Sequence, residues 1–195
     1  MPDLSREMSE LRARLPGAGP HGRLVLVVAA RGGEGASTVA REYARAAAVG
    51  AARPVWLVDG DLDRPSQFEA AAAEADRFGW PGRARSASPD GSCFFAVDPP
   101  WTDGDGRRVA DAEHLFARPF LDGRLWITRF RPSALQGGRE ARAVADGRYW
   151  RALKAAAGEV VVDAPAAERS DLAVAVAPYA DLVLMVVAGE RTGAA

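Results

Sequence analysis

Cysteine is almost absent from this chain, since Cys93 is the only one in 195 residues. A single thiol excludes an internal disulfide framework and indicates a reducing compartment. The sequence also lacks an apolar run long enough to cross a bilayer, and its first residues lack the apolar core of a signal peptide. These absences predict a cytoplasmic protein. The formal net charge of -1 gives no general attraction to nucleic acid, so we expect no nucleic-acid partner.

Lysine is equally scarce, because Lys154 is the only one and arginine supplies the rest of the positive charge. What the chain does have is apolar sequence. A hydrophobic fraction of 48% with 26% charged residues is typical of a globular domain, and 195 residues suffice for one sizeable core.

An amphipathic helix is predicted at the start of the chain. Apolar residues recur there at helical spacing, and a cluster of proline and glycine comes next over 16–22. The apolar positions are Leu4, Met8, Leu11 and Leu15. We therefore predict an N-terminal helix and linker over 1–20, followed by a single domain over 21–195.

Apolar runs of the kind found in doubly buried strands alternate with helix-forming segments in this second part. The strand-like runs are RLVLVVAA (23–30), PVWLVDGD (54–61), RLWITRF (124–130), EVVVDAP (159–165) and ADLVLMVVAGE (180–190). The helical segments are STVAREYARAAAVGAA (37–52) and AVADGRYWRALKAAA (143–157). This order predicts an α/β fold, with a mainly parallel β-sheet flanked by helices on both faces.

The centre of the chain, 64–122, gives weaker signals. Residues 67–77 are typical of a helix, but glycine and proline interrupt the segment after residue 77. The segments SCFFAV (92–97) and LFARPFL (115–121) fit either short strands or buried loop segments, and both alternatives stay open.

A glycine-rich loop lies between the first strand and the helix that comes after it. Without side chains, Gly32, Gly33 and Gly35 let backbone N–H groups surround an anion, and the helix N-terminus adds its positive dipole end. The hydroxyl of Ser37 is at a position that reaches Mg²⁺ in phosphate-binding loops. The alternative is an ordinary strand-to-helix turn. The phosphate interpretation predicts binding by Gly32, Gly33, Glu34, Gly35, Ala36, Ser37 and Thr38.

Acidic residues end two other predicted strands. Asp59 and Asp61 end one strand, and Asp163 ends another. Carboxylates at such strand ends hold Mg²⁺-bound water or orient an attacking group, although helix capping would use the same residues. We predict Ser37, Asp59 and Asp163 as Mg²⁺ ligands. The catalytic candidates are Asp59, Asp61, Asp163 and Arg31.

These motifs together resemble the MinD/ParA branch of P-loop proteins, and most closely its bacterial tyrosine kinases (BY-kinases) of polysaccharide export. GEGAST resembles GEGKST of that family, VWLVDGDLDRPS resembles hDxDxRxPS, and the stretch from EVVVDAP onward resembles its next acidic strand. The resemblance covers about 6–66 and 124–192. It implies ATP or ADP with Mg²⁺ as cofactors and a role in exopolysaccharide biosynthesis. It also implies docking on the cytoplasmic part of a membrane polysaccharide co-polymerase, and hence a location at the inner membrane through that partner.

The main departure from the family is Ala36, where the kinases have the lysine that contacts the β- and γ-phosphates. Losing a charge-assisted hydrogen bond of about 1.5–3 kcal/mol weakens nucleotide binding about tenfold to a hundredfold. We therefore expect a degenerate loop with impaired catalysis. One alternative is an active ATPase or autokinase that uses Arg31, at the family's second lysine position, or a partner's residue. Another is a ParA-like switch that dimerises on ATP.

Other kinase features are reduced. The given sequence ends ERTGAA, without the terminal tyrosine cluster of the kinases. It also stops where the family adds another helix and strand, which indicates either a shortened domain or a sequence that is cut there. BY-kinases assemble into rings through a helix with the pattern E-x-x-R-x-x-R, which would fall at Arg6, Ser9 and Arg12 here. Only Arg12 matches, so a kinase-type ring is not expected and a homo-oligomer stays an alternative. We predict solvated side chains for His21 and His114. The remaining aromatic side chains are expected to pack in the core, namely Tyr43, Tyr149, Tyr179, Trp56, Trp126 and Trp150.

Overall fold

The computed structural model describes residues 3–188. Its strands are β1 (Arg23–Ala29), β2 (Val55–Asp59), β3 (Arg85–Ser86), β4 (Phe95–Asp98), β5 (Leu115–Phe120), β6 (Leu125–Phe130), β7 (Glu140–Ala143), β8 (Glu159–Asp163) and β9 (Leu182–Val186). Its α-helices are α1 (Ser5–Arg14), α2 (Ala36–Ala48), α3 (Gln67–Ala72), α4 (Ala75–Phe78), α5 (Gly147–Ala156) and α6 (Leu172–Val176).

The main sheet has seven strands in the order β3-β5-β6-β2-β8-β1-β9. Strands β6, β2, β8, β1 and β9 are parallel, whereas β5 is antiparallel to β6 and β3 is antiparallel to β5. Helices lie in the connections between parallel strands that follow one another in the chain, as α2 does between β1 and β2, which is the arrangement of α/β proteins. The predicted α/β fold with a mainly parallel sheet is therefore confirmed.

Helices cover both faces of this sheet and enclose two apolar clusters. The odd-numbered positions of β1, such as Val25 and Val27, pack towards α1, α2, α3 and α4. The even-numbered positions, such as Leu24 and Leu26, pack towards α5, α6 and β4. Burial on both faces explains why the central strands are continuous apolar runs.

Strand β9 is an edge of the sheet and is only half covered. Leu182, Leu184 and Val186 pack against the cluster beside α2. The side chains between them face the opposite side of the sheet and are largely uncovered, with Val183 50% and Met185 70% exposed.

The N-terminal helix was predicted over 3–15 and forms as α1. Its Met8 is buried against α2, so α1 belongs to the same core as the sheet. The Arg12 guanidinium lies 2.9 Å from Glu159 Oε2. Glu159 also accepts hydrogen bonds from Arg23 and from the Tyr43 hydroxyl. Arg12 is thus engaged within its own chain.

The centre of the chain contains more β-structure than the sequence indicated. The helix predicted over 67–77 is interrupted and forms α3 and α4. The segments SCFFAV and LFARPFL supply β4 and β5. Strand β4 pairs with β7 in a separate two-stranded antiparallel sheet. The sequence did not predict β7, and α5 starts only at Gly147, where the Asp146 carboxylate caps it by accepting from the Arg148 N–H.

The prediction of a solvated His114 is wrong. Its side chain is 3% exposed and stacks on the Trp101 ring with centroids 5.0 Å apart. Burial lowers the pKa of the imidazole, because the cation loses its hydration. The error arose because a histidine among loop residues gives no sign of the ring that covers it. His21 is exposed, as predicted.

The aromatic side chains mostly pack as expected. Tyr43, Tyr149 and Trp150 are fully buried, and the rings of Trp56 and Trp126 stack at 5.5 Å. None of the helices within 3–188 is long and apolar enough to span a bilayer. The predictions about the chain's last residues, ERTGAA and a missing last helix and strand, lie outside the described residues.

Candidate functional site

The glycine-rich loop connects the end of β1 to the start of α2. Gly33 has φ 84° and Gly35 has φ 92°, in the left-handed region that side chains disfavour. Gly35 is the N-cap of α2, and Ala36 is its first residue. The predicted loop therefore lies at the carboxyl end of a central parallel strand, where α/β proteins bind ligands.

Several backbone N–H groups of this loop are left without an acceptor. Within the described part of the chain, those of Gly33, Gly35, Ala36 and Ser37 donate to no protein group. The N–H of Arg31 donates to Glu34 Oε2 at 3.0 Å, inside the loop itself.

Glu168 accepts the N–H of Gly32 in the same loop, at 2.8 Å. The segment that follows β8 places Glu168 beside the glycine-rich loop. The N–H groups of Ala164 and Ala167 donate to the carbonyl oxygens of Val27 and Ala29, each at 3.1 Å. This segment therefore runs beside the end of β1 and meets the loop. Glu168 was not predicted from the sequence, because its contact with Gly32 spans most of the chain.

A cavity of about 240 Å³ opens at this loop. Its lining includes the whole predicted loop, together with Asp61, Ser66, Asp163 and Arg169. Pockets for drug-sized ligands usually measure about 300–1,000 Å³. The cavity therefore has room for phosphate groups but would leave most of a nucleotide outside.

Asp163 has the most distinctive carboxylate of the site. It is 4% exposed, and its Oδ2 accepts from Gln67 Nε2 at 2.6 Å. Its Oδ1 is buried and has no hydrogen-bond partner among residues 3–188. Burial raises the pKa of Asp163 to about 6, although the hydrogen bond from the Gln67 amide favours the charged form.

Asp59 does not line this cavity, and its side chain binds the backbone at the start of α3. Its Oδ2 accepts the N–H groups of Ser66 at 2.7 Å and Gln67 at 2.8 Å, and its Oδ1 accepts that of Asp61 at 3.1 Å. Burial, and then repulsion from Asp163, raises the pKa of Asp59 to about 7. These contacts fit the alternative in which Asp59 caps a helix instead of binding Mg²⁺. Both oxygens of Asp59 are committed to the backbone.

Asp61 lines the cavity but is also engaged. Its Oδ1 accepts the Arg64 N–H at 3.0 Å, and its Oδ2 lies 2.9 Å from Arg169 Nη2. Arg169 is a further residue that was not predicted from the sequence. It stands on the same turn as Glu168, and it contributes a guanidinium to the wall of the cavity.

Gln67 joins the loop to both acidic strands, and no sequence pattern pointed to it. It is fully buried. Besides Asp163, its Nε2 donates to the Ser37 carbonyl at 2.9 Å, and its Oε1 accepts from Arg41 Nη1 at 3.1 Å. A lone glutamine carries no chemical motif, so only the folded arrangement identifies it.

The cations are distributed unevenly around the loop. Arg31 and Arg169 line the cavity, whereas Ala36 presents only a methyl group. Lys154 lies 2.6 Å from Asp181 Oδ2. Asp181 also accepts the N–H of Leu24 at the start of β1. The single lysine is therefore at the end of the sheet opposite to the loop.

The predicted Mg²⁺ ligands are brought together only in part. Ser37 and Asp163 lie at the cavity, whereas Asp59 does not line it. Within 3–188 there is no cluster of three or more histidine, cysteine, aspartate or glutamate residues able to hold a metal ion by themselves. Any ion at this site would need water or ligand oxygens to complete its coordination.

No protein-family model, curated protein or solved structure matches this chain significantly. Fold alone does not imply function, so the function must be inferred from the site itself.

Proposed function

We propose that this chain is a degenerate P-loop protein that binds the phosphates of a nucleotide weakly and does not cleave them efficiently. One observation carries the proposal. Backbone donors at the start of α2 that have no acceptor among the described residues surround a cavity, and its buried carboxylate, Asp163, has an oxygen without a partner in the same part of the chain. The place of the usual lysine is taken by Ala36.

Phosphate binding is supported by the loop and the helix together. Gly33 and Gly35 adopt left-handed backbone conformations that let neighbouring N–H groups converge on an anion. Helix α2 has 13 residues, so its N-terminus adds about half a positive charge at the same point. Both terms favour a phosphate without any side-chain cation.

Mg²⁺ fits this site through Asp163 and Ser37. The Oδ1 of Asp163, unpartnered within 3–188, would hold a water ligand of the ion, and the Ser37 hydroxyl would bind it directly. When bound, Mg²⁺ would offset the negative charge of the phosphates. Asp59 is not assigned to the ion, because its oxygens already accept three backbone N–H groups.

Weak catalysis is supported by the charges around the cavity. Phosphoryl transfer depends on positioned cations, and Ala36 supplies none. The guanidinium of Arg169 is paired with Asp61, so each of the two is already engaged and would have to break this pair to act on a charged transition state or a proton. Binding without turnover is the expected result.

The biological role is inferred only from the family resemblance. We propose that the protein is an accessory or regulatory component of bacterial exopolysaccharide biosynthesis. It would act in the cytoplasm, on the cytoplasmic part of a membrane polysaccharide co-polymerase. In that role the loop reports nucleotide occupancy to the partner rather than consuming nucleotide.

Replacing Ala36 by lysine tests the proposal directly. Ala36→Lys should tighten Mg²⁺–ADP binding about tenfold to a hundredfold, because it restores the charge-assisted hydrogen bond. Calorimetric titration of the full chain measures this. Ala36→Met adds a side chain of similar length without charge and should leave affinity at the wild-type level. Equal gains for both variants, or no binding by either, would reject a phosphate site at this loop.

An active ATPase is the second candidate, because Arg31 lines the cavity. Arginine binds phosphate well, although its planar fork does not mimic an ammonium. Phosphate release by the wild type, measured with and without the co-polymerase fragment, separates the candidates. Steady Mg²⁺-dependent turnover that falls at least tenfold in Arg31→Ala would establish the ATPase and replace the first proposal.

A further inference from the structure

Glu168 occupies one backbone donor of the glycine-rich loop, although it does not itself line the cavity. Its Oε1 accepts the Gly32 N–H at 2.8 Å, beside the loop N–H groups that have no acceptor within 3–188. A Cβ built at Gly32 would lie 3.4 Å from Oε1, so the carboxylate is in contact with this position of the loop. A carboxylate oxygen and a phosphate oxygen accept the same kind of hydrogen bond from a backbone N–H.

The negative charges around the loop oppose the binding of a second anion while Glu168 is in place. The side chains of Glu34, Asp61, Asp163 and Glu168 surround the loop, and among the described residues Arg31 and Arg169 are the cations of the lining that oppose them. The family's lysine, which would offset one of these charges, is replaced by Ala36. A phosphate that enters while Glu168 stays in place would find the Gly32 N–H already occupied, with a like charge beside the loop.

Among these four carboxylates, Glu168 is the exposed one, so its side chain is the freest to rotate away. Asp163 is buried, and Asp61 is held by Arg169 and by the Arg64 N–H. Glu34 accepts a hydrogen bond within the loop. Glu168 is on an exposed turn and has Gly32 as its only hydrogen-bond partner among the described residues, so rotation of its side chain costs one hydrogen bond.

We infer that Glu168 is an internal competitor for the phosphate position of the loop, and that a nucleotide diphosphate or pyrophosphate binds only by displacing it. This inference rests on the proposed function and adds how that site is regulated. Once Glu168 turns out to solvent, the Gly32 N–H can bind a phosphate oxygen, one negative charge has left the loop, and Arg31 and Arg169 still line the cavity. A partner surface that draws Glu168 away would raise nucleotide affinity without touching the nucleotide.

Removal of the carboxylate provides the test. Glu168→Gln and Glu168→Ala should bind ADP, and separately pyrophosphate, about tenfold or more tightly than the wild type in calorimetric titrations of the full chain. Asp63→Asn is the matched control. It removes one exposed negative charge at the same end of the sheet, away from the loop, and should bind as the wild type does. Tightening with pyrophosphate alone would mean that the ligand is free polyphosphate rather than nucleotide.

The amide resonance of Gly32 gives a readout that needs no ligand. It should shift clearly in Glu168→Ala, because its acceptor is gone, and stay unchanged in Asp63→Asn. An unmoved Gly32 resonance in Glu168→Ala would overturn the inference. So would wild-type affinity in both Glu168 variants, while leaving the phosphate site itself intact. Loss of binding in every protein, Ala36→Lys included, would instead reject the proposed function and the competition together.

Discussion

At the scale of single residues, Asp59 and Asp163 form a buried acidic pair between neighbouring strands. They are register partners in the parallel pairing of β2 and β8, and burial raises the pKa of Asp59 to about 7 and that of Asp163 to about 6. Such a pair is costly to the fold and has value only where a cation or proton compensates it. This cost supports the proposal that Asp163 serves to bind a ligand.

The pair should make stability fall as pH rises. A carboxyl whose pKa is higher in the folded than in the unfolded state stabilises the fold fully below the unfolded value of 3.8. That contribution is lost as pH rises through about 6 to 7. Asp163→Asn removes one charge, so it should raise the free energy of unfolding at pH 8 by about 1–3 kcal/mol and change it little at pH 4.5.

Urea denaturation without divalent cations at the two pH values measures this effect. Asp63→Asn, an exposed carboxylate, serves as the control and should show no pH-dependent gain. Equal destabilisation of Asp163→Asn at both pH values would mean that the carboxylate is structurally required and that the pair is not strained.

At the scale of elements, Gln67 joins the beginnings of α2 and α3 to the end of β8. Its side-chain amide donates to the Ser37 carbonyl and to Asp163, and its backbone N–H donates to Asp59. One neutral, fully buried side chain therefore holds the start of α2, and with it the glycine-rich loop, against the sheet. A buried polar network of this kind stabilises only while each member keeps its partner.

Gln67→Met keeps the length of the side chain and removes its polar atoms. It should lower the free energy of unfolding by at least about 2 kcal/mol, because the buried Asp163 carboxylate loses the hydrogen bond that its Oδ2 accepts from Nε2. Chemical denaturation measures the loss. Gln136→Met replaces an exposed glutamine and should change stability by less than about 0.5 kcal/mol. If the two variants unfold alike, the network does not support the loop.

The same elements show what could be predicted from the sequence. Strands β1, β2 and β8 are continuous apolar runs that end near glycine or aspartate, and local pattern alone identifies them. The pairing of β4 with β7 is not local, and β7 (EARA) consists of residues that favour a helix. Glu168 and Gln67 were missed for the same reason, since tertiary contacts alone bring them to Gly32 and Asp163.

At the scale of the whole molecule, a single sheet separates two apolar clusters. Met8 of α1 belongs to one, while Trp56, Trp126 and Trp150 belong to or pack against the other. Both clusters share the strands between them, so loss of one face should weaken the other. The domain is therefore expected to unfold in a single cooperative transition that includes α1.

Met8→Ala tests that cooperativity. The substitution should lower the free energy of unfolding by about 2–5 kcal/mol, and tryptophan fluorescence from the opposite face should report the same midpoint as circular dichroism. Met185→Ala changes a 70% exposed methionine and should have an effect below about 0.5 kcal/mol. If the fluorescence midpoint of Met8→Ala equals that of the wild type, α1 unfolds independently of the opposite face.

The position of the single lysine has a practical consequence. Lys154 is near the carboxyl end of α5, beside the start of β1, while the glycine-rich loop lies past the end of β1. A reagent that acylates amines finds Lys154 as its one side-chain target, at the pole remote from the loop. Tethering the protein to a sensor chip through that amine leaves the cavity pointing into solution, ready for ligands to be passed over it.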